Sequence, residues 1–539
     1  MIVNNKGLKK FSTYFWISLL ICSAYFVIFI FPNHVASENM KMVAVFEPDE
    51  YYPLPFVFDM IRPADSIGQA ITHFIFYRYY FYGFPYFGAS ALAVLPLSLL
   101  GKLGNTSLVM VFLRQFISVL PILGAILLLV HIQTQFRSYK SIVLLIFLLS
   151  IPAVVANNFW WHPDGIAILF SMLVIFFLNR DGLRFGRDFY LAAVMCGFSA
   201  AAKLIGFYFF LSIFAYILYA AFTKKRSLKS LLGVSFAFIA CMGIAFVFAN
   251  PMLLSRSARV AYFTTMQKET MLISSGYETV YAKGFLASLP LLTEYYGSIL
   301  FLLIAVLACV LSIYQDKNRL LNIVILAWLL PISVMVFWVT HFKYQYWMPV
   351  ALPLFSSLVY FLPDKLSLDG LHNKINFKTA GVALAGIIIF AQWALFVRAD
   401  IQRYEDRLHR ADGNPAIQFY DLATKALDPI GSRDVKVYHD VQMYVPVTLH
   451  WETESTLKLL NYDYVQSNNF DVVLLMQQRI YDYLNPEAQG IDPGEFARSQ
   501  IFYRDANEEA LHGYHLAFRN EFGLVFVKDD MYNEFYENK

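Results

Sequence analysis

The sequence predicts a polytopic α-helical membrane protein that ends in an α/β domain. Three observations carry this. Of 539 residues, 58% are hydrophobic and only 15% charged, whereas soluble domains carry about 25% charged residues. The apolar residues gather into repeated runs, several of them long enough for a bilayer, which a helix crosses in about 20 residues. Those runs stop near residue 397, and the remainder is charged and holds no run of spanning length.

The first run, 11–31, follows Lys6, Lys9 and Lys10. It is longer than the apolar core of a cleaved signal peptide and lacks a small-x-small site, so it reads as an uncleaved helix with a cytoplasmic N-terminus. Further spans are expected at about 108–130, 141–156, 164–179, 189–203, 205–222, 230–249, 293–314, 320–339, 347–363 and 377–397. The run 87–101 is shorter and holds Pro96. Loop charge decides its place. If 87–101 lies along the outer interface, the cytoplasmic loops hold 14 Lys and Arg and the later outward loops 5; if it spans, the two sets change sides, against the positive-inside rule. Eleven spans with interfacial helices are therefore expected. Loop 32–107, "NNFWWHPDG" (157–165), 250–292, "THFKYQYW" (340–347) and the C-terminal part would then all face outward.

Residues 1–397 form the predicted membrane domain and 398–539 an extracytoplasmic α/β domain. In the latter, 434–440, 470–476 and 522–529 read as buried strands and 415–427 as a helix. Cys22, Cys196, Cys241 and Cys309 each sit in an apolar run, without paired metal-site spacing, and read as small hydrophobes. A net charge of +3 and no Lys/Arg-rich tract argue against a nucleic-acid partner.

Chemistry-bearing residues gather on the outward side. "FEPDEYYPLPF" (46–56) places Glu47, Asp49 and Glu50 in a frame of prolines and aromatics. Prolines limit backbone freedom, and a carboxylate at a low-dielectric surface can serve as a general base. Such acids are also common in solvated loops. Tyr51, Tyr52 and the aromatic run 78–88 suit the headgroup level of a bilayer, or line a site for a lipid or a sugar. In "WWHPDG", Asp164 suits a helix N-cap or a functional acid beside His162. Asp49, Asp164 and His162 are together compatible with a divalent metal. Lys203, between two apolar runs, either snorkels or contacts an anionic lipid phosphate. Lys343, Tyr344 and Tyr346 end two spans and line the same cavity or belong to an aromatic belt.

Taken in order, "PDEYY", "FG…LGNTSLVMVFLR", "HPDG", "GFSAAAKLIGFYFF", "ANPMLL" and "KYQYWMPVALP" resemble the GT-C superfamily of integral membrane glycosyltransferases. The branch of protein O-mannosyltransferases and aminoarabinose transferases is nearest. "PDE" is also similar to the His-Pro-Asp-Glu of lumenal mannosyltransferases, with Glu47 in place of the His. The resemblance covers about 46–353. It implies a polyprenyl- or dolichyl-phosphate sugar as donor and a glycan, lipid or protein as acceptor. It further implies inverting transfer on the outer face of a membrane, a bacterial inner membrane being the first expectation. Asp49 would be the base, Glu50 its neighbour and Asp164 the second-loop acid. Lys203 would hold the donor phosphate, with Arg62 or Arg256. The competing reading is a lipid or polysaccharide transporter, which would favour internal repeats and mid-membrane charges. No repeat is visible.

Overall fold

The computed structural model describes residues 12–314, 318–363, 377–456 and 459–537. Lys6, Lys9 and Lys10, residues 315–317 and most of the predicted cytoplasmic loop 363–378 lie outside that set.

All eleven predicted spans fall on helix. Among the described residues, five helices are long and apolar enough to cross a membrane: Thr13–His34, Thr106–Thr134, Leu228–Phe248, Arg319–Val339 and Ala380–Leu408. A sixth candidate is a bent pair. The expected single span 293–314 is Phe285–Tyr296 and Ile299–Ile313, which meet at 76° around Gly297. Other expected spans are broken where the sequence holds a breaker. The run 141–156 divides into Lys140–Leu149 and Pro152–Asn157, because Pro152 cannot continue the preceding helix. The segment 205–222 opens as a 3-10 turn before Phe210–Phe222. The ambiguous run 87–101 is the helix Phe84–Leu99, which buries Tyr86, Phe87, Ala91, Val94 and Leu97.

The last membrane helix does not stop at residue 397. It runs as Phe377–Leu408, and its polar end carries Arg407 to Glu47 of the first outward loop, whereas Arg403 pairs with Glu294 at 2.7 Å. The C-terminal part then folds around a five-stranded sheet. Its strands are β1 (Val435–His439), β2 (Trp451–Glu454), β3 (Val472–Met476), β4 (Tyr514–Arg519) and β5 (Gly523–Lys528), in the order β2-β1-β3-β5-β4. β1 is parallel to β2 and β3, whereas β5 is antiparallel to β3 and β4. The three expected strands are the three inner ones. β2 and β4 escape the sequence pattern because they are edges: neither has a fully buried residue, and β2 is largely polar.

The first outward loop is tied down by two ion clusters. Glu50 is fully buried against Arg114, with Nε–Oε1 at 2.9 Å and Nη2–Oε2 at 2.5 Å, and it also accepts from the Trp161 backbone N–H at 2.5 Å. Arg114 opens a π-helical turn, Arg114–Val119, within the span Thr106–Thr134. Glu47 accepts from Arg410 at 2.7 Å and from Arg407. Burial pushes the Glu47 carboxyl up, but the guanidiniums of Arg407 and Arg410 more than reverse this and keep it ionised.

Removing one partner of a buried pair leaves an uncompensated charge, at about 3–5 kcal/mol. Arg114→Met should therefore lower the thermal midpoint of the detergent-solubilised protein sharply. The double replacement Glu50→Gln with Arg114→Met should lower it less, as read by intrinsic fluorescence on heating.

Candidate active site

The two clamped acids leave Asp49 between them. It sits in the short helix Pro48–Tyr51, is exposed, and has no hydrogen-bond or ion-pair partner among the described residues. It faces a cavity of about 1330 Å³. One wall is the first loop, with Tyr52, Tyr79 and Tyr82; another is His162 and Lys203. The helix Arg256–Ser275 and the loop after it add Glu269 and Tyr277, and the 340–346 segment adds Lys343 and Tyr346. The C-terminal domain closes the far side with Asp440, Gln442 and Arg479.

Asp164 sits behind the wall and holds two of its members. Its Oδ1 accepts from Lys203 Nζ at 2.6 Å, and its Oδ2 meets His162 Nδ1. Asp164 starts the helix Asp164–Asp181 but makes no capping hydrogen bond, so the N-cap alternative does not describe it. An acid in the first turn does suit the helix dipole. His162 Nε2 meets Tyr82 Oη at 3.0 Å, and its ring stacks on Trp160 at 4.2 Å. With a carboxylate at Nδ1, that nitrogen donates and Nε2 accepts from the tyrosine hydroxyl. Burial lowers the His162 pKa more than the Asp164 charge raises it, so the ring stays neutral near pH 7. Lys203 Nζ also lies 4.5 Å above the Tyr346 ring centroid.

Close backbone packing brings these groups together. A Cβ on Gly83 would stand 1.5 Å from the Ala201 carbonyl oxygen. Only glycine allows the aromatic loop to lie on the end of the helix Arg187–Ala202, and this places Tyr82 beside His162 and Lys203.

Of the expected site residues, Asp49, Tyr52, His162, Lys203, Lys343 and Tyr346 share the cavity, with Asp164 directly behind. Five others are elsewhere. Glu50 is turned inward to Arg114. Tyr51 packs edge-on against Tyr52 outside the lining. Tyr344 stacks on Tyr295 at 4.4 Å. Arg62 is exposed and bonds His73, and Arg256 is exposed on another surface depression. The phosphate partners expected from Arg62 and Arg256 are thus not beside Lys203, because both follow helix or loop faces that point away. Lys343 is there instead. It lines the cavity, has no acid partner among the described residues, and lies near enough for its charge to act on Lys203. Glu269, Tyr277, Asp440 and Arg479 went unnoticed in the sequence, since nothing in their local pattern separates them from ordinary surface residues.

Among the described residues, no three His, Cys, Asp or Glu side chains converge as a metal-ligating group. Both Asp164 oxygens are engaged by His162 and Lys203, so Asp164 offers no free oxygen alongside Asp49.

Residues 84–340 match the model of glycosyltransferase family 87. Across 96% of this chain, the fold is similar to the crystal structure of ArnT from Cupriavidus metallidurans bound to undecaprenyl phosphate, at 12% identity, a TM-score of 0.53 and 98% coverage of that chain. The chain is a glycosyltransferase with a GT-C-like fold. The GT-C fold also appears in the apo oligosaccharyltransferase of Archaeoglobus fulgidus, which is 12% identical with a TM-score of 0.52, covering 99% of this chain and 78% of that one. The archaeal oligosaccharyltransferase AglB from the same organism, in complex with an inhibitory peptide and a dolichol-phosphate, has a TM-score of 0.50 at 13% identity over 98% and 78% of the two chains. No curated protein sequence matches. With its apolar helices, this GT-C enzyme is an integral membrane protein.

Asp440 provides a pH test of how the C-terminal domain closes the cavity. Its Oδ2 accepts from the Met476 N–H at 2.7 Å, and burial raises its pKa from 3.8 to about 6. Between those values the folded form holds a proton that the unfolded form has released, so stability falls as pH rises through the window. Asp440→Asn should stabilise the fold at pH 7.5 by on the order of 2–3 kcal/mol, read as a raised thermal midpoint, and leave the midpoint nearly unchanged at pH 4.

Proposed function

We propose that this glycosyltransferase takes its sugar from a polyprenyl- or dolichyl-phosphate donor and passes it, with inversion, to an acceptor hydroxyl on a glycan, lipid or protein. The observation that carries the reading is the pairing, in one cavity, of a single unpartnered carboxylate, Asp49, with Lys203 and Lys343. Asp49 takes the proton from the acceptor hydroxyl. The acceptor oxygen attacks the anomeric carbon from the face opposite the phosphate. The bond from that carbon to the phosphate oxygen breaks, and the lipid phosphate leaves with its electron pair. Lys203 and Lys343 stabilise the charge that gathers on the leaving phosphate. Asp164 and neutral His162 hold Lys203 and Tyr82 in place and do not meet the reacting atoms. Neighbouring structures of this fold bound to undecaprenyl phosphate or in complex with a dolichol-phosphate support the choice of donor.

The site opens on the extracytoplasmic side in this reading, and a bacterial inner membrane is its setting. Loop charge supports that orientation: the Lys- and Arg-rich loops lie at the opposite ends of the helices from Asp49.

Asp49→Asn keeps size and removes the base. Turnover should fall by about 10²–10⁴ while undecaprenyl phosphate still binds; turnover within a few-fold of wild type would remove Asp49 as the base. Lys343→Ala deletes a charge-assisted contact worth about 1.5–3 kcal/mol, so the Kd for undecaprenyl phosphate should rise by at least tenfold. For orientation, a cysteine placed at Lys140 should react with an impermeant maleimide only from the cytoplasmic side, and labelling from outside would reverse the topology.

A further inference from the structure

Glu269 is a second cavity carboxylate that the reaction above does not use. It lies on the helix Arg256–Ser275, which lines the cavity together with the first loop. The Tyr277 hydroxyl donates to its Oε1, whereas Oε2 is buried and has no hydrogen-bond partner. A buried carboxylate oxygen left unpaired is costly, and buried polar atoms in folded proteins are almost always satisfied. The acid is therefore arranged for a donor that arrives with a ligand.

Its surroundings identify that donor. Tyr277 carries Lys343 Nζ 5.9 Å from its ring centroid, so the acid, the tyrosine and the phosphate-binding lysine form a short chain. The charges of Glu269 and Asp49 both act on Tyr79, Tyr277, Tyr281 and Tyr346. Glu269 thus stands near the phosphate position, on the same aromatic walls as the base. The group joined directly to the phosphate is the sugar that will be transferred. Flat aromatic faces suit the apolar faces of a pyranose ring, and a carboxylate oxygen accepts from a ring hydroxyl through a strong, charge-assisted hydrogen bond.

We infer that Glu269, positioned by Tyr277, is the specificity-determining residue that reads a hydroxyl of the donor's sugar. This rests on the lipid-phosphate donor proposed above. A site built to bond one hydroxyl rejects an epimer that misplaces it, because the acid is then left unpaired.

The test uses the full-length protein in nanodiscs and four probes: undecaprenyl phosphate alone, and the same lipid carrying mannose, glucose or galactose. Wild-type protein should bind one sugar-bearing lipid at least tenfold more tightly than its epimers. Glu269→Gln should abolish that preference and keep the Kd for bare undecaprenyl phosphate within twofold. Tyr277→Phe, which keeps the ring and frees the acid, should weaken the preference in the same direction. A preference retained in Glu269→Gln, equal loss of bare-lipid and sugar-lipid binding, or wild-type binding without any sugar preference would overturn the subsite and leave the lipid donor standing. Wild-type protein that binds none of the four probes would overturn both.

Discussion

The site depends on the buried pairing of two glutamates with three arginines on either side of Asp49. Glu50 is locked to Arg114 inside the membrane domain, and Glu47 to Arg407 and Arg410 where the last membrane helix emerges. Buried ion pairs add little net stability against an apolar alternative, but breaking one is expensive. What they supply here is position. A loop of about 75 residues between two helices would otherwise hold its acids wherever solvent took them. With both neighbours fixed, the short helix Pro48–Tyr51 has one orientation, and that orientation turns Asp49 to the cavity. The three acids of "EPDE" thus divide their work by direction. Successive residues on a helix point about 100° apart, so one carboxylate can face the cavity while the next is buried.

The wall of His162 and Lys203 uses the same economy of charge. An isolated ammonium at the edge of a membrane domain would be costly. Asp164 offsets that cost for Lys203, and the Tyr346 ring shares the cation's other side. The remaining carboxylate oxygen fixes His162, which fixes Tyr82. Lys203 is therefore held but partly neutralised, whereas Lys343 meets an aromatic face and, among the described residues, no acid partner. An anion entering the cavity meets one cation already rigid and one still free to pair, which divides positioning from attraction.

Much of the membrane domain was legible because hydrophobic runs and loop charges report directly on a low-dielectric setting. Asp49, His162 and Lys203 stood out for the same reason: each is an ionisable group where apolar or aromatic residues surround it. Glu50 could not be separated from Asp49, since adjacent residues share every compositional feature and differ only in direction. Arg62 and Arg256 had the right charge and side but the wrong faces. Lys343 was noticed as a cavity residue, and the structure places it in the lining where Arg62 and Arg256 are absent. Glu269, Asp440 and Arg479 belong to segments of ordinary charge content, and only the fold brings them to the cavity. Edge strands β2 and β4 lack the continuous burial of their inner neighbours, because each has a strand on one side only.

The C-terminal domain belongs to the same constraint. Its Arg479 bonds Glu278 at 2.6 Å, and Tyr483 reaches the same acid at 3.1 Å. Backbone hydrogen bonds from Val280 to Gln489 and from Ile491 to Glu278 join the two segments as a short ladder. The loop so held begins at Gly276 and includes Tyr277, which in turn carries Glu269 and faces Lys343. On the other side, Val45 of the first loop packs into the core beneath the sheet, three residues before Pro48. The domain therefore grips both the segment that presents Asp49 and the segment that presents Glu269. A shift of the domain would pull on the Glu269 segment directly and on the Asp49 segment against its clamp to Arg114, whereas the partners of Lys203 lie wholly within the membrane domain. The seating of the sheet domain thus bears on how Asp49, Glu269 and Lys203 are disposed around one cavity, and docking of that domain is part of building it.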